Sequence, residues 1–170
     1  MNKILVIIPA RGGSKEVPNK NIKKINGIPL IVYTIREVLK LKKYYYKFIV
    51  STDCKKIAQI SKKVGACVPF IRPKKLALDT TPTLPVLRHA LRYIENKDNV
   101  DIDWVLTLQA TNPLTKAYDI KKCIKLIDKD IEKLSPMALN DPCTPENPKK
   151  TTLDDMKLLY RHSIEGKLFN

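Results

Sequence analysis

Apolar and polar positions follow one another along this chain in two rhythms. Lys3 to Pro9 (KILVIIP) is an unbroken apolar run rich in isoleucine and valine, the pattern of a strand buried on both faces of a parallel sheet. From Pro29 the spacing changes. Leu30, Val32, Tyr33, Ile35, Val38 and Leu39 form one broad apolar face, which predicts a helix starting at the proline. Lys47 to Ser51 (KFIVS) predicts a second strand. Ile57, Ala58, Ile60 and Val64 then predict a helix over residues 54–64, with Gly65 just past its end. A third short strand is expected from Cys67 to Ile71, with Arg72-Pro73 turning the chain out of it. A loop carrying Asp79, Thr80 and Thr81 leads to a helix from about Pro82 to Glu95. Trp104 to Leu108 (WVLTL) predicts the fourth strand, followed by a loop from Gln109 to Thr115 and a helix from Ala117 to Asp128.

Strands separated by helices of this length argue for βαβ units and an α/β fold with a doubly wound, mostly parallel sheet. In such sheets ligands sit at the carboxyl ends of the strands, near a switch in strand order. Every loop here with unusual chemistry follows a strand. Beyond residue 130 the pattern weakens, and Asp141 to Lys150 (DPCTPENPKK) brings three prolines. The expectation is one domain over 1–170, with a regular core over about 3–130 and an irregular C-terminal part over 131–170.

Composition narrows the class. The chain has 170 residues and is 44% apolar, which suits a globular domain rather than a disordered chain. No apolar run approaches the roughly 20 residues a membrane helix needs. The opening MNKILVIIPA is cut short by Arg11 and does not read as a secretory signal, so a cytoplasmic location is expected. Cys54, Cys67, Cys123 and Cys143 form no CxxC pair and read as ordinary reduced thiols.

Charge adds one question. The 32 Lys+Arg against 17 Asp+Glu give a formal +15, which attracts polyanions. Many of these lysines (Lys40, Lys42, Lys43, Lys62, Lys63, Lys121, Lys122) fall on expected exposed helix faces. No aromatic stacking pattern or helix-turn-helix signature accompanies them, so nucleic-acid binding is expected to be nonspecific at most.

The candidate chemistry lies after the strands. The first loop reads Arg11-Gly12-Gly13-Ser14-Lys15, then Lys20-Asn21. Adjacent glycines let backbone N–H groups turn toward an anion, and Arg11, Lys15 and Lys20 add fixed positive charge. The GxxxxGK[ST] spacing of a P-loop is absent, as is GxGxxG. Asp53 reads either as a ligand contact or as the N-cap of the helix behind it. Asp79 reads as a ligand contact or as a brace for its own loop. His89 falls inside a helix and reads as a packed or capping residue rather than a general base.

Taken together, IPARGGSK followed by Lys20-Asn21 resembles the N-terminal signature of the acylneuraminate cytidylyltransferases, the CMP-sialic acid synthetases and their relatives for legionaminic and pseudaminic acids. Gly27-Ile28-Pro29-Leu30 resembles the family's GxPLI, Ser51-Thr52-Asp53 its STD, and residues 65–73 its GAxVPFxRP. Leu76-Ala77, Asp79 and His89-Ala90-Leu91 resemble LAxD…HAL, and residues 108–114 (LQATNPL) are similar to LQPTSPL. The resemblance covers about residues 3–130 and implies a Rossmann-like fold of the nucleotide-diphospho-sugar transferase type.

It also implies a reaction. The anomeric hydroxyl of a sialic or related nonulosonic acid attacks the α-phosphate of CTP, releasing pyrophosphate, with Mg²⁺ required. Arg11, Gly12, Gly13, Ser14, Lys15, Lys20 and Asn21 would hold the triphosphate and cytidine side, with Arg11, Lys15 and Lys20 catalytic. Arg72 would contact the nucleotide, and Gln109 and Thr111 would reach the acyl sugar. The chain departs from the pattern at Ala110, Asn112 and Thr115, and at Pro82 and Pro85. The family's later dimerisation element and acidic metal-binding segment are not recognisable. Asp101 and Asp103 precede the fourth strand, at the wrong end of the sheet, and Asp154-Asp155 do not match in setting, so the metal ligands stay unassigned. The rival reading is a diverged or truncated relative that binds nucleotide without turnover.

Overall fold

The computed structural model describes residues 2–14, 17–126 and 152. Three strands form a parallel sheet: β1 (Ile4–Pro9), β4 (Lys47–Ser51) and β5 (Trp104–Thr107), in the order β4-β1-β5. β1 is central. Its residues Ile4 to Ile8 are all buried, which explains the unbroken apolar run. The register pairs Leu5 with Lys47 and Pro9 with Ser51 on one side, and Ile4 with Trp104 on the other. This is the expected α/β, Rossmann-like architecture with a parallel sheet.

The helices lie close to where the apolar spacing puts them. α1 (Leu30–Leu39) follows Pro29, and Ile31, Ile35 and Val38 are fully buried. α2 (Lys55–Lys63) buries Ile57, Ala58 and Ser61, and Gly65 follows at φ +95. α3 (Thr83–Asp98) turns Val86, Ala90 and Ile94 inward, one residue per turn along a single stripe. Ala90 and Ile94 pack with Leu5, Ile7 and Ile49 in the core under the sheet. α3 runs three residues beyond the expected Glu95 and ends at Asn99, which takes the left-handed conformation at φ 49. Pro85 falls in its first turn, where a backbone N–H has no intrahelical partner to lose.

Two expectations need correction. Residues 67–71 do not form a continuous strand. They make two isolated parallel bridges, Ile49 of β4 with Cys67 and Thr52, just past the end of β4, with Ile71. Pro69 lies between them and has no N–H to give to a ladder, which confines the segment to isolated edge contacts. The second difference is a small hairpin, β2 (Lys24–Ile25) with β3 (Ile28–Pro29), where the apolar pattern named no element before Pro29; the proline expected to open the helix closes β3, and α1 starts one residue later. Asn26 and Gly27 turn it with φ 48 and 77, and positive φ at both positions is what a type I′ turn requires.

The chain divides into two compact units, Met1–Ile120 and Lys121–Asn170. The sheet and its three helices belong to the first. A further helix begins at residue 117, and of the second unit the described residues are 121–126, which are helical, and Thr152. The expectations for residues 127–128, the irregular part over 131–170, Cys143 and Asp154-Asp155 lie outside the described residues.

Candidate active site

β1 stands between a neighbour reached early in the chain and one reached late. The loops leaving β1 and β5 therefore diverge from the same end of the sheet, where strand order switches. A cavity of about 360 Å³ opens there. Pro9, Arg11, Ser14, Lys20 and Asn21 line it from the first loop, Arg72 from beside β4, and Gln109, Ala110 and Thr111 from beyond β5. Seven of the candidate residues thus share one wall-to-wall space: Arg11, Ser14, Lys20, Asn21, Arg72, Gln109 and Thr111. Lys15 lies outside the described residues. Gly12 and Gly13 are not among the lining residues.

Gly12 is tied to the protein's own chain. Its N–H donates to Asp53 Oδ1 at 3.0 Å, so the anion it meets belongs to the protein. A Cβ at Gly12 would lie 2.8 Å from Cys54 Cβ, closer than real Cβ atoms approach. Glycine is required here by that contact. Asn21 is buried and donates from Nδ2 to the Arg11 carbonyl at 2.9 Å, closing the loop on itself.

Asp53 is not the cap of α2. Cys54 holds that position with no side-chain cap bond, and the Asp53 carboxylate faces Gly12 and Arg72 instead. Arg72 is 5% exposed, and its Nη2 lies 3.7 Å from Asp53 Oδ1. Its Nε and Nη2 have no hydrogen-bond partner in the protein. Burial pulls the Arg72 pKa below its ordinary value, Asp53 opposes that, and Arg11 adds to it. A buried cation with unfilled donors at a cavity wall is costly unless a ligand supplies acceptors.

Asp79 braces the site across loops. Its carboxylate accepts an ion pair from Arg11 Nη1 at 2.6 Å, and both residues line the cavity. Three cations, Arg11, Lys20 and Arg72, therefore face one carboxylate. His89 packs edge-on against Phe70 with ring centroids 4.7 Å apart, as a packed residue should. Asp103 accepts from the backbone N–H of Lys3, at the end of the sheet away from the cavity, as expected. On the far wall, Thr34 Oγ1 of α1 approaches the carbonyls of Gln109 and Asn112 at 3.4 and 3.5 Å.

Thr81, of the loop that carries Asp79, also lines the cavity, as do Leu78, Thr83 and Val86, which the sequence did not single out. Val86 carries the apolar spacing of a core position, and only the fold shows that the start of α3 borders the site. Among the described residues no group of three or more His, Cys, Asp or Glu could hold a metal ion. These residues do not by themselves form a Mg²⁺ site.

A family model described as Cytidylyltransferase matches residues 5–164. The chain belongs to the cytidylyltransferase family. Among its relatives, the post-translational flagellin modification protein B of Campylobacter coli is 42% identical over 74% of this chain and 53% of its own length. The CMP-N,N'-diacetyllegionaminic acid synthase of Legionella pneumophila is 37% identical over 81% of this chain and 60% of its own. A pseudaminic acid cytidylyltransferase of Campylobacter jejuni is 38% identical over 71% and 51%. This cytidylyltransferase-family chain thus spans about half the length of the curated relatives it matches. A solved CMP:2-keto-3-deoxy-manno-octonic acid synthetase complexed with CTP has a TM-score of 0.60 at 22% identity, covering 76% of this chain and 48% of its own, which shows a shared fold.

Proposed function

We propose that this chain transfers CMP from CTP to the anomeric hydroxyl of a sialic, legionaminic, pseudaminic or related nonulosonic acid. The observation that carries this reading is the convergence on one cavity, at the switch in strand order, of Arg11, Lys20 and Arg72, whose Nε and Nη2 have no hydrogen-bond partner in the protein. Named relatives in the family make CMP-legionaminic acid or are pseudaminic acid cytidylyltransferases. In the reaction the sugar hydroxyl oxygen forms a bond to the α-phosphorus. The bond from that phosphorus to the bridging oxygen breaks, pyrophosphate departs with the electron pair, and the hydroxyl proton is released.

Phosphoryl transfer of this kind depends mainly on positioning and on stabilising charge. Arg11, Lys15 and Lys20 supply fixed positive charge for the phosphates, and Ser14 and Asn21 shape the loop that presents it. Arg72 takes the nucleotide, and Gln109 and Thr111 face the acyl sugar from the opposite wall. A divalent cation such as Mg²⁺ would be held chiefly by the triphosphate, since Mg²⁺ typically keeps several waters and leans on substrate phosphates, and it would supply further positive charge beside Arg11 and Lys20. The reading places the protein in the cytoplasm, where CTP is available.

The test is pyrophosphate release from CTP and Mg²⁺ with a panel of nonulosonic acids. Release that depends on one sugar, and that Arg11→Ala removes while the fold persists, supports the reading. Unchanged release in Arg11→Ala contradicts the loop assignment. CTP binding with no release from any sugar favours the rival, a nucleotide-binding relative without turnover.

A further inference from the structure

Asp53 sits behind the cavity wall rather than on it. It is not among the lining residues, yet one of its oxygens, Oδ1, reaches two groups that set the shape of that wall. The first is the Gly12 N–H at 3.0 Å, next in sequence to the lining residue Arg11. The second is the Arg72 guanidinium, 3.7 Å away through Nη2. Local structure leaves the carboxylate free for this. Cys54, not Asp53, occupies the N-cap position of α2, and the Cys54 N–H is taken by Thr52 Oγ1 at 3.1 Å.

The Arg72 backbone is fixed as well, its N–H donating to the Thr52 carbonyl at 2.8 Å. Arg72 and Asp53 are therefore anchored to adjacent points at the end of β4. The side chain of Arg72 is buried and that of Asp53 is 23% exposed, so their attraction is less screened than in a surface pair. At 3.7 Å the pair is an ionic contact rather than a hydrogen bond, and it leaves Nε and Nη2 without a hydrogen-bond partner in the protein.

We propose that Asp53 is a positioning residue for nucleotide binding, acting through Arg72 by holding its charged guanidinium against the cavity wall with its donors open, and through Gly12 by fixing the first loop. This rests on the reading of the cavity as a CTP site. Asp53 is not among the residues that line the cavity. Its carboxylate compensates the burial of Arg72 without consuming the hydrogen bonds that a nucleotide would receive, and it sets the depth at which the Arg11 loop lies.

The experiment is a double-mutant cycle on CTP affinity, measured by titration calorimetry on the 170-residue chain, with Asp53→Asn, Arg72→Met and the pair together. Asparagine keeps the shape and an oxygen acceptor for Gly12 N–H and removes only the charge, and a melting curve checks that each variant is folded. Asp53→Asn is expected to weaken CTP binding on the order of tenfold, the scale of one lost interaction with a charged group. In the Arg72→Met background the same change is expected to cost much less, because the partner it acts through is gone. Wild-type affinity in Asp53→Asn overturns the proposal. So does an equal loss in both backgrounds, which would make Asp53 a structural residue independent of Arg72. A wild-type chain that binds no CTP sinks the reading of the cavity itself, and is told apart from these by the wild-type titration alone.

Discussion

Arg11 Nη1 and Asp79 Oδ1 are 2.6 Å apart, joining the loop after β1 to the loop before α3 across the mouth of the cavity. A triphosphate bound at Arg11 competes with that carboxylate for the guanidinium. Both side chains are about one third exposed, at 36% and 32%. A pair so open to water is worth roughly 0–1 kcal/mol. Asp79→Asn is therefore expected to tighten CTP binding by up to about fivefold, with little change in melting temperature. Titration calorimetry checks it, and weaker binding in the variant would show that Asp79 serves the ligand rather than competing with it.

Arg72 separates stability from function. Its buried Nε and Nη2 have no hydrogen-bond partner, so the folded protein carries a desolvation cost that the Asp53 carboxylate at 3.7 Å offsets only in part. Arg72→Met is expected to leave the melting temperature unchanged or raised. CTP affinity should fall by about 10- to 100-fold, the range for losing hydrogen bonds to a charged group. Loss of stability together with retained affinity would invert this account of the residue.

Gly12 is fixed by contact with Cys54. Gly12→Ala would place a Cβ 2.8 Å from Cys54 Cβ, and one of the two backbones must shift. Such overpacking typically costs about 1–3 kcal/mol. The variant is expected to melt lower and to lose CTP affinity as the Arg11 loop moves outward. Cys54→Gly in the same chain should recover part of both by opening the space. A melting curve for each variant and for the pair decides the matter.

His89 makes stability depend on pH. Burial first, and then the positive charges of Arg72 and Lys75, hold its pKa below the ordinary 6.5. As pH falls through about 6.5, the unfolded chain takes up the proton before the folded one does, so protonation favours unfolding. The stability held by neutral His89 is complete above that value and declines below it, levelling once the folded histidine also titrates. His89→Gln is expected to show a shallower fall in melting temperature between about pH 7 and pH 5. Parallel slopes in the two proteins would remove His89 as the cause.

Periodicity revealed the architecture because burial in this fold is strongly one-sided or complete. The run from Ile4 to Ile8 and the stripe Val86, Ala90, Ile94 leave little choice of element. What it missed depends on single residues. Pro69 breaks a strand whose apolar pattern is intact, and Asn26-Gly27 makes a hairpin too short for any pattern to register. The Asn-Gly pair was the available signal for the hairpin. The candidate loop residues were legible because glycine and basic side chains follow directly on β1. The partners of Asp53 and Asp79 were not, since Gly12 and Arg72 lie far from Asp53 in sequence, and Arg11 lies far from Asp79. Long-range pairing of that kind is set by topology, which no local pattern encodes.

The most direct measurement follows the α-phosphate itself. The chain is incubated with Mg²⁺, CTP labelled at the α-phosphorus and one nonulosonic acid at a time, and the products are separated. The account predicts label in a CMP-sugar with one of these acids and one pyrophosphate released for each CMP-sugar formed. Label that stays in CTP with every acid, in a preparation that binds CTP, would contradict the assignment of a transferase.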